Sequence, residues 1–131
     1  METFVDSSAF FAWGDLTTGV GEKIRSLLVK KQIRLVTTNL VFAETISLLT
    51  KRIGKHKGFE LGERIIQSDI IRLVYLEEEL QKEAWQLYKK YKDKDFDFID
   101  ATSFVFCQKH GIKEAITLDS HFSQMGFKVY P

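Results

Sequence analysis

Thr3-Phe4-Val5-Asp6-Ser7-Ser8 is a short β-prone run that stops at a carboxylate. Phe4 and Val5 suit a buried strand, so Asp6 is expected to emerge at the strand's carboxyl end, with two hydroxyl residues directly after it. Four further runs share this character: Leu35-Val36-Thr37-Thr38, Ile70 to Leu76, Ala115-Ile116-Thr117-Leu118 and Phe127-Lys128-Val129-Tyr130. Between them the sequence reads as helix over about 20–31, 39–53, 58–69, 77–92 and 99–110. Strand-helix alternation predicts an α/β protein with a mainly parallel central sheet and helices on both faces. Sheets of that kind gather ligands at the carboxyl ends of their strands, which makes Asp6 the first residue to follow.

The 131 residues fit one domain, 1–131, large enough to bury a real core. Hydrophobic residues make up 44% and charged residues 28%, which argues against a disordered chain and for an ordinary globular one. Most of the 11 Phe are expected in the core, where their rings escape water. The one cysteine, Cys107, excludes an intramolecular disulfide and fits a reducing compartment. Neither a basic-then-apolar leader nor a long apolar run is present, so a cytoplasmic protein with no membrane contact is expected. The net charge of +1 points to no class of partner. Two basic clusters, Lys51-Arg52 with Lys55-His56-Lys57 and Lys89 to Lys94, either meet phosphates or decorate solvated helix ends.

Asp119 closes the fourth run as Asp6 closes the first, and each has a capping role as its alternative. Glu44 lies just inside the helix after the second run, with Leu40 and Leu48 one turn away on either side; a plain surface residue is the alternative. Asp100 opens the helix before the fourth run, with Asp97 three residues earlier. Asp97 as N-cap and Asp100 in the first turn make a structural reading of that pair. Four carboxylates at one sheet edge suit a hard divalent cation such as Mg²⁺ or Mn²⁺. One such ion, or two, can both activate a water and stabilise a leaving oxygen in phosphodiester cleavage. A site of this kind uses no Cys or His ligand.

At these residues the chain resembles the PIN-domain family, especially the VapC-like toxins of toxin–antitoxin pairs. Four segments carry the resemblance: Phe4-Val5-Asp6-Ser7-Ser8, Thr37 to Glu44, Asp95 to Phe104, and Thr117-Leu118-Asp119-Ser120-His121-Phe122 with Gly126-Phe127 after it. Their order and spacing extend the resemblance over essentially the whole chain. It implies a three-layer α/β/α sandwich and Mg²⁺- or Mn²⁺-dependent endoribonuclease activity at Asp6, Glu44, Asp100 and Asp119. Asp6, Asp100 and Asp119 would hold the principal metal, and Glu44 would complete the shell or position a second ion. It further implies an RNA substrate, a cognate antitoxin and frequent homodimers, with Ser8, Ser103 and Thr117 at positions where the family often has hydroxyls near the metal. Asp97 departs from the pattern, standing where many relatives have Ser or Thr; it is either an extra acid or a cap.

Two other readings fit less well. An aspartyl-phosphate phosphatase would want a second acid two residues after Asp6, where Ser8 stands. A phospho-receiver would want an aspartate after its middle strand, and the third run ends in Leu76-Glu77. An RNA-processing PIN nuclease without an antitoxin and a non-catalytic RNA-binding PIN module remain alternatives to the toxin.

Overall fold

In the computed structural model, residues 2–15, 19, 22–23, 26 and 34–131 are described. The helix expected over about 20–31 lies almost entirely outside them. The elements run β1 (Glu2–Val5), α1 (Ser7–Gly14), β2 (Arg34–Thr38), α2 (Asn39–Arg52), α3 (Lys55–Gln67), β3 (Ile71–Val74), α4 (Glu78–Lys90), α5 (Phe98–Lys109), β4 (Glu114–Ile116), α6 (His121–Gln124) and β5 (Lys128–Tyr130).

The strands form one sheet in the order β3-β2-β1-β4-β5, and every pairing among the described residues is parallel. A parallel sheet needs crossover connections, and the helices supply them as layers of an α/β sandwich. The chain steps outward from β1 through β2 to β3 on one side, then through β4 to β5 on the other. The strand order therefore reverses between β1 and β4, where open α/β sheets leave a crevice at their carboxyl edge. Register makes the juxtaposition specific. Val5 pairs with Ile116, and the amide of Asp6 donates to the Ile116 carbonyl at 3.1 Å, so the residues following β1 and β4 leave the sheet side by side.

A Phe cluster fixes the elements around that crevice. Phe4, Phe104 and Phe122 are fully buried. The Phe122 ring lies 5.6 Å from Phe4 and 4.9 Å from Phe104, which locks the short α6 and the longer α5 onto β1. Ten of the 11 Phe are buried or partly buried against the core, while Phe59 is exposed. Thr37 Oγ1 donates to the Val5 carbonyl at 2.9 Å and ties β2 to β1. Both basic clusters fall at helix ends: Lys51 and Arg52 close α2 and Lys89 and Lys90 close α4, where positive charge meets the helix carbonyls, while Lys55 opens α3. No helix among the described residues is long and apolar enough to cross a membrane.

Candidate metal centre

Asp6 occupies the N-cap position of α1, yet its side chain makes no capping hydrogen bond. The carboxylate turns instead toward β4. Its Oδ2 accepts from Ser8 Oγ at 2.9 Å and from Thr117 Oγ1 at 3.0 Å. The two hydroxyls are themselves 3.1 Å apart, and Ser8 Oγ accepts from the Leu118 amide at 3.0 Å. The carboxylate is thus clamped between the first turn of α1 and the end of β4, and only 2% of the residue is exposed.

Asp100 is fixed by its own helix. Its amide donates to Asp97 Oδ1 at 2.9 Å, and its Oδ2 accepts from the Asp97 amide at 3.1 Å, a reciprocal cap at the start of α5. Asp119 follows β4, and its Oδ1 accepts from the His121 amide at 3.0 Å, so it closes a local turn while its side chain stays about a third exposed. Glu44 enters from the second turn of α2, half-buried, and accepts a hydrogen bond from Ser7 Oγ. Ser103 behaves differently from Ser8 and Thr117. Its Oγ donates to the Ile99 carbonyl one turn back at 3.1 Å, and among the described residues it makes no hydrogen bond to a carboxylate.

These acids feel one another. Burial raises the Asp100 carboxyl to about 7, with Asp97, Asp6 and Asp119 adding repulsion. Burial, then the charge of Asp119, raises Asp6 to about 6, against the hydroxyls that favour its charged form. Glu44 is also raised, by burial first, partly offset by Ser7, with Asp97 and Asp119 repelling it. The four acids singled out in the sequence, together with Asp97, thus lie within electrostatic reach of one another, and Asp100 and Asp119 are the two whose carboxylate oxygens come within 4.8 Å of each other in a group that could hold a metal ion.

One further residue joins them. His121 opens α6, two positions after Asp119. Its Nδ1 lies 3.0 Å from Asp100 Oδ2 and 3.7 Å from Asp119 Oδ1. The approach to Asp100 is within hydrogen-bond length but misaligned, and the buried Nδ1 has no hydrogen-bond partner. One donor atom each from Asp100, Asp119 and His121 lie within 4.8 Å of one another. The only cue in the sequence is the Asp-Ser-His spacing, and a lone His at that spacing carries no periodic signal.

Beside this cluster a groove of about 370 Å³ opens along Ser7, Ser8, Phe11, Leu48, Arg52 and Leu118. The Arg52 guanidinium sits 5.4 Å from the Phe11 ring centre.

A fold with acids at the switch point of a parallel sheet is the arrangement of the PIN domain, and residues 3–128 match that family. The chain belongs to the PIN-domain family. Over 124 residues it is 32% identical to the 23S rRNA-specific endonuclease VapC20 of Mycobacterium tuberculosis (strain H37Rv), covering 95% of this chain and 94% of that one. The crystal structure of VapC20, described as a Sarcin-Ricin loop cleaving toxin, matches with a TM-score of 0.89 at 30% identity over 95% of both chains. VapBC2 of Rickettsia felis, solved with a DNA fragment from its promoter, matches with a TM-score of 0.74 over 99% of this chain and 98% of that one. At 10% identity it shows the shared fold alone.

Proposed function

We propose that this protein is an endoribonuclease that depends on a divalent cation, and that it is the toxin of a toxin–antitoxin pair. The observation that supports the nuclease reading is that Asp6, Glu44, Asp100 and Asp119, from four separate segments, lie within electrostatic reach of one another around the carboxyl edge of β1 and β4. Burial first, and mutual repulsion after it, raises the carboxyls of Asp6 and Asp100 to about 6 and about 7. The donor set fits Mg²⁺ or Mn²⁺: mostly oxygen, with a buried imidazole nitrogen that makes no hydrogen bond and lies 3.0 Å from Asp100 Oδ2. Asp6, Asp100 and Asp119 would hold the ion, with Glu44 completing the shell or positioning a second one. Such an ion supplies Lewis acidity, which lowers the pKa of a water and offsets charge growing on the phosphate.

The chain's own groups do the positioning. Ser8 and Thr117 hold the Asp6 carboxylate at one angle, the Asp97 amide holds that of Asp100, and Ser7 holds Glu44. A fixed ligand set needs no rearrangement when substrate arrives. The groove beside Ser8 gives an unpaired strand room to lay a nucleotide next to the acids. An A-form duplex holds its backbone in a set shape, so single-stranded or looped RNA is the substrate that fits.

The test is cleavage of an RNA strand and of its perfect duplex, with and without chelator. The strand should be cut faster, and EDTA should stop cleavage until Mg²⁺ or Mn²⁺ is restored. Full activity in excess EDTA would overturn the mechanism, and equal cutting of the duplex would overturn the substrate preference. The toxin reading draws on the likeness to VapC20. A cognate antitoxin facing four carboxylates gains most from Arg, whose planar fork pairs a carboxylate at two points. Expression alone should stop growth, and co-expression of the adjacent gene should restore it. Harmless expression of folded, active protein would sink the toxin reading and leave the nuclease reading standing.

A further inference from the structure

We propose that His121 supplies a nitrogen ligand to the cation held by Asp100 and Asp119, and that this tilts the centre toward a first-row transition ion such as Mn²⁺ over Mg²⁺. The inference rests on the metal-dependent reading above and departs from it in one respect, since the four acids alone make an all-oxygen site.

Three observations carry it. The first is the unpartnered nitrogen. Nδ1 of His121 is buried with no hydrogen bond, although a carboxylate oxygen lies only 3.0 Å away. A buried polar atom left in this way is destabilising unless something else satisfies it.

The second is spacing. Two ligands at right angles, each about 2.1 Å from one cation, stand about 3 Å from each other. The separation of 3.0 Å between Nδ1 and Asp100 Oδ2 matches such an edge, while Asp119 Oδ1, at 3.7 Å, lies beyond it and would have to close in by several tenths of an ångström to share the ion.

The third is rigidity. The His121 amide donates to Asp119 Oδ1 at 3.0 Å, and the next residue, Phe122, is fully buried against Phe4 and Phe104. The imidazole is therefore mounted on a fixed stem that also carries one of the acids. The other two histidines stand elsewhere. His110 follows the far end of α5 from Asp100, and His56 is exposed on α3. Imidazole nitrogen binds transition ions, whereas Mg²⁺ keeps to oxygen and water, so adding it shifts selectivity without excluding Mg²⁺.

The experiment uses the full chain and Mn²⁺ as the probe. Electron spin echo spectroscopy on the Mn²⁺-loaded protein should show coupling to one directly bound ¹⁴N, and His121→Ala should lose it. In calorimetric titrations, His121→Ala should weaken Mn²⁺ binding about 10-fold or more while changing Mg²⁺ binding much less. Wild-type protein that binds Mn²⁺ without ¹⁴N coupling overturns the role of His121 and leaves the metal centre intact. Wild-type protein that binds no Mn²⁺ at millimolar concentration overturns both. Because the wild-type spectrum alone decides the ligation, poor folding of His121→Ala would not shelter the proposal; His121→Asn then serves as the second variant in the titrations.

Discussion

Asp6 shows how an ordinary capping residue is diverted to another task. At a strand-to-helix turn an aspartate usually accepts from amides in the first helical turn as a cap, but here that capping bond is not made and Oδ2 accepts instead from the hydroxyls of Ser8 and Thr117. Asp6→Asn keeps the acceptor oxygen and the shape and removes the charge. Cleavage is expected to fall by about 100-fold or more, a loss comparable to removing one preorganised electrostatic contact, while the fold is retained. Wild-type turnover with unchanged metal dependence would remove Asp6 from the mechanism. Asp6 is legible in the amino-acid sequence, because a β-prone run that stops at a carboxylate is a local signal; Asp119 does not close its strand as that signal suggests, since β4 ends at Ile116 and Asp119 sits in the turn that follows. Asp100 and Glu44 are less legible, since a first-turn Asp and a half-buried Glu have common structural explanations. His121 is not legible: its surroundings are made by Asp100, which is distant in sequence and close only in the fold. Ser103 sits in the expected segment, but its hydroxyl is taken by the helix backbone, a bond that sequence position does not reveal.

At the scale of elements, the start of α5 decides how Asp97 is to be understood. Its side chain accepts from the Asp100 amide and its own amide donates back, so the cap and the orientation of a site acid are one structure. Asp97→Ala should cost about 1 kcal/mol of stability, as loss of an N-cap does. Asp97→Ser should keep the cap, lower the repulsion on Asp100 and leave cleavage within a few-fold of wild type. Thermal melts and cleavage rates on both variants check this, and a loss of about 100-fold in Asp97→Ser would make Asp97 a ligand instead. Other elements are harder to read. The helix Ser7–Gly14 is not expected from its sequence, SSAFFAWG, which has no polar face to mark a helical period. The third strand is shorter than the run 70–76 suggests. Its pairing ends at Val74, Tyr75 is exposed, and the Leu76 amide turns to Asn39 Oδ1 at 2.9 Å. Capping pairs and apolar runs are local and readable, whereas strand ends depend on what the neighbouring strand offers.

The whole molecule adds what no local signal holds, the strand order β3-β2-β1-β4-β5. Alternation of strands and helices indicates a parallel sheet but leaves the pairings open, and it is the pairing of β1 with β4 that sets Asp6 beside the Asp119 turn. Burying acids at that crevice, and setting them near one another, loads the native state with a desolvation penalty and with repulsion, and the load has a sign. Asp6 and Asp100 rise from 3.8 in the unfolded reference to about 6 and about 7 in the folded protein. At pH values between the two, the folded chain binds protons that the unfolded chain has released, so stability falls as pH rises. The contribution of these groups is complete below pH 3.8 and is lost as pH climbs through about 6 and 7. Glu2 shifts the other way, lowered from 4.5 by its hydrogen bond to Arg72, so its effect appears below that range. Chelated protein should therefore melt at a higher temperature at pH 5 than at pH 8. A cation competes with those protons and binds the native state only, so at one hundred times its dissociation constant it should restore about 2.7 kcal/mol. That is a rise of several degrees at pH 8, shrinking toward pH 5 where protons hold the site. Asp100→Asn, without the charge, should flatten both the pH slope and the metal effect. Melting curves in EDTA and in Mn²⁺ at the two pH values are sufficient. A chelated wild-type protein whose melting temperature stays level or rises from pH 5 to pH 8 would show that the acids do not carry this load, and an equal metal effect at both would separate cation binding from their protonation.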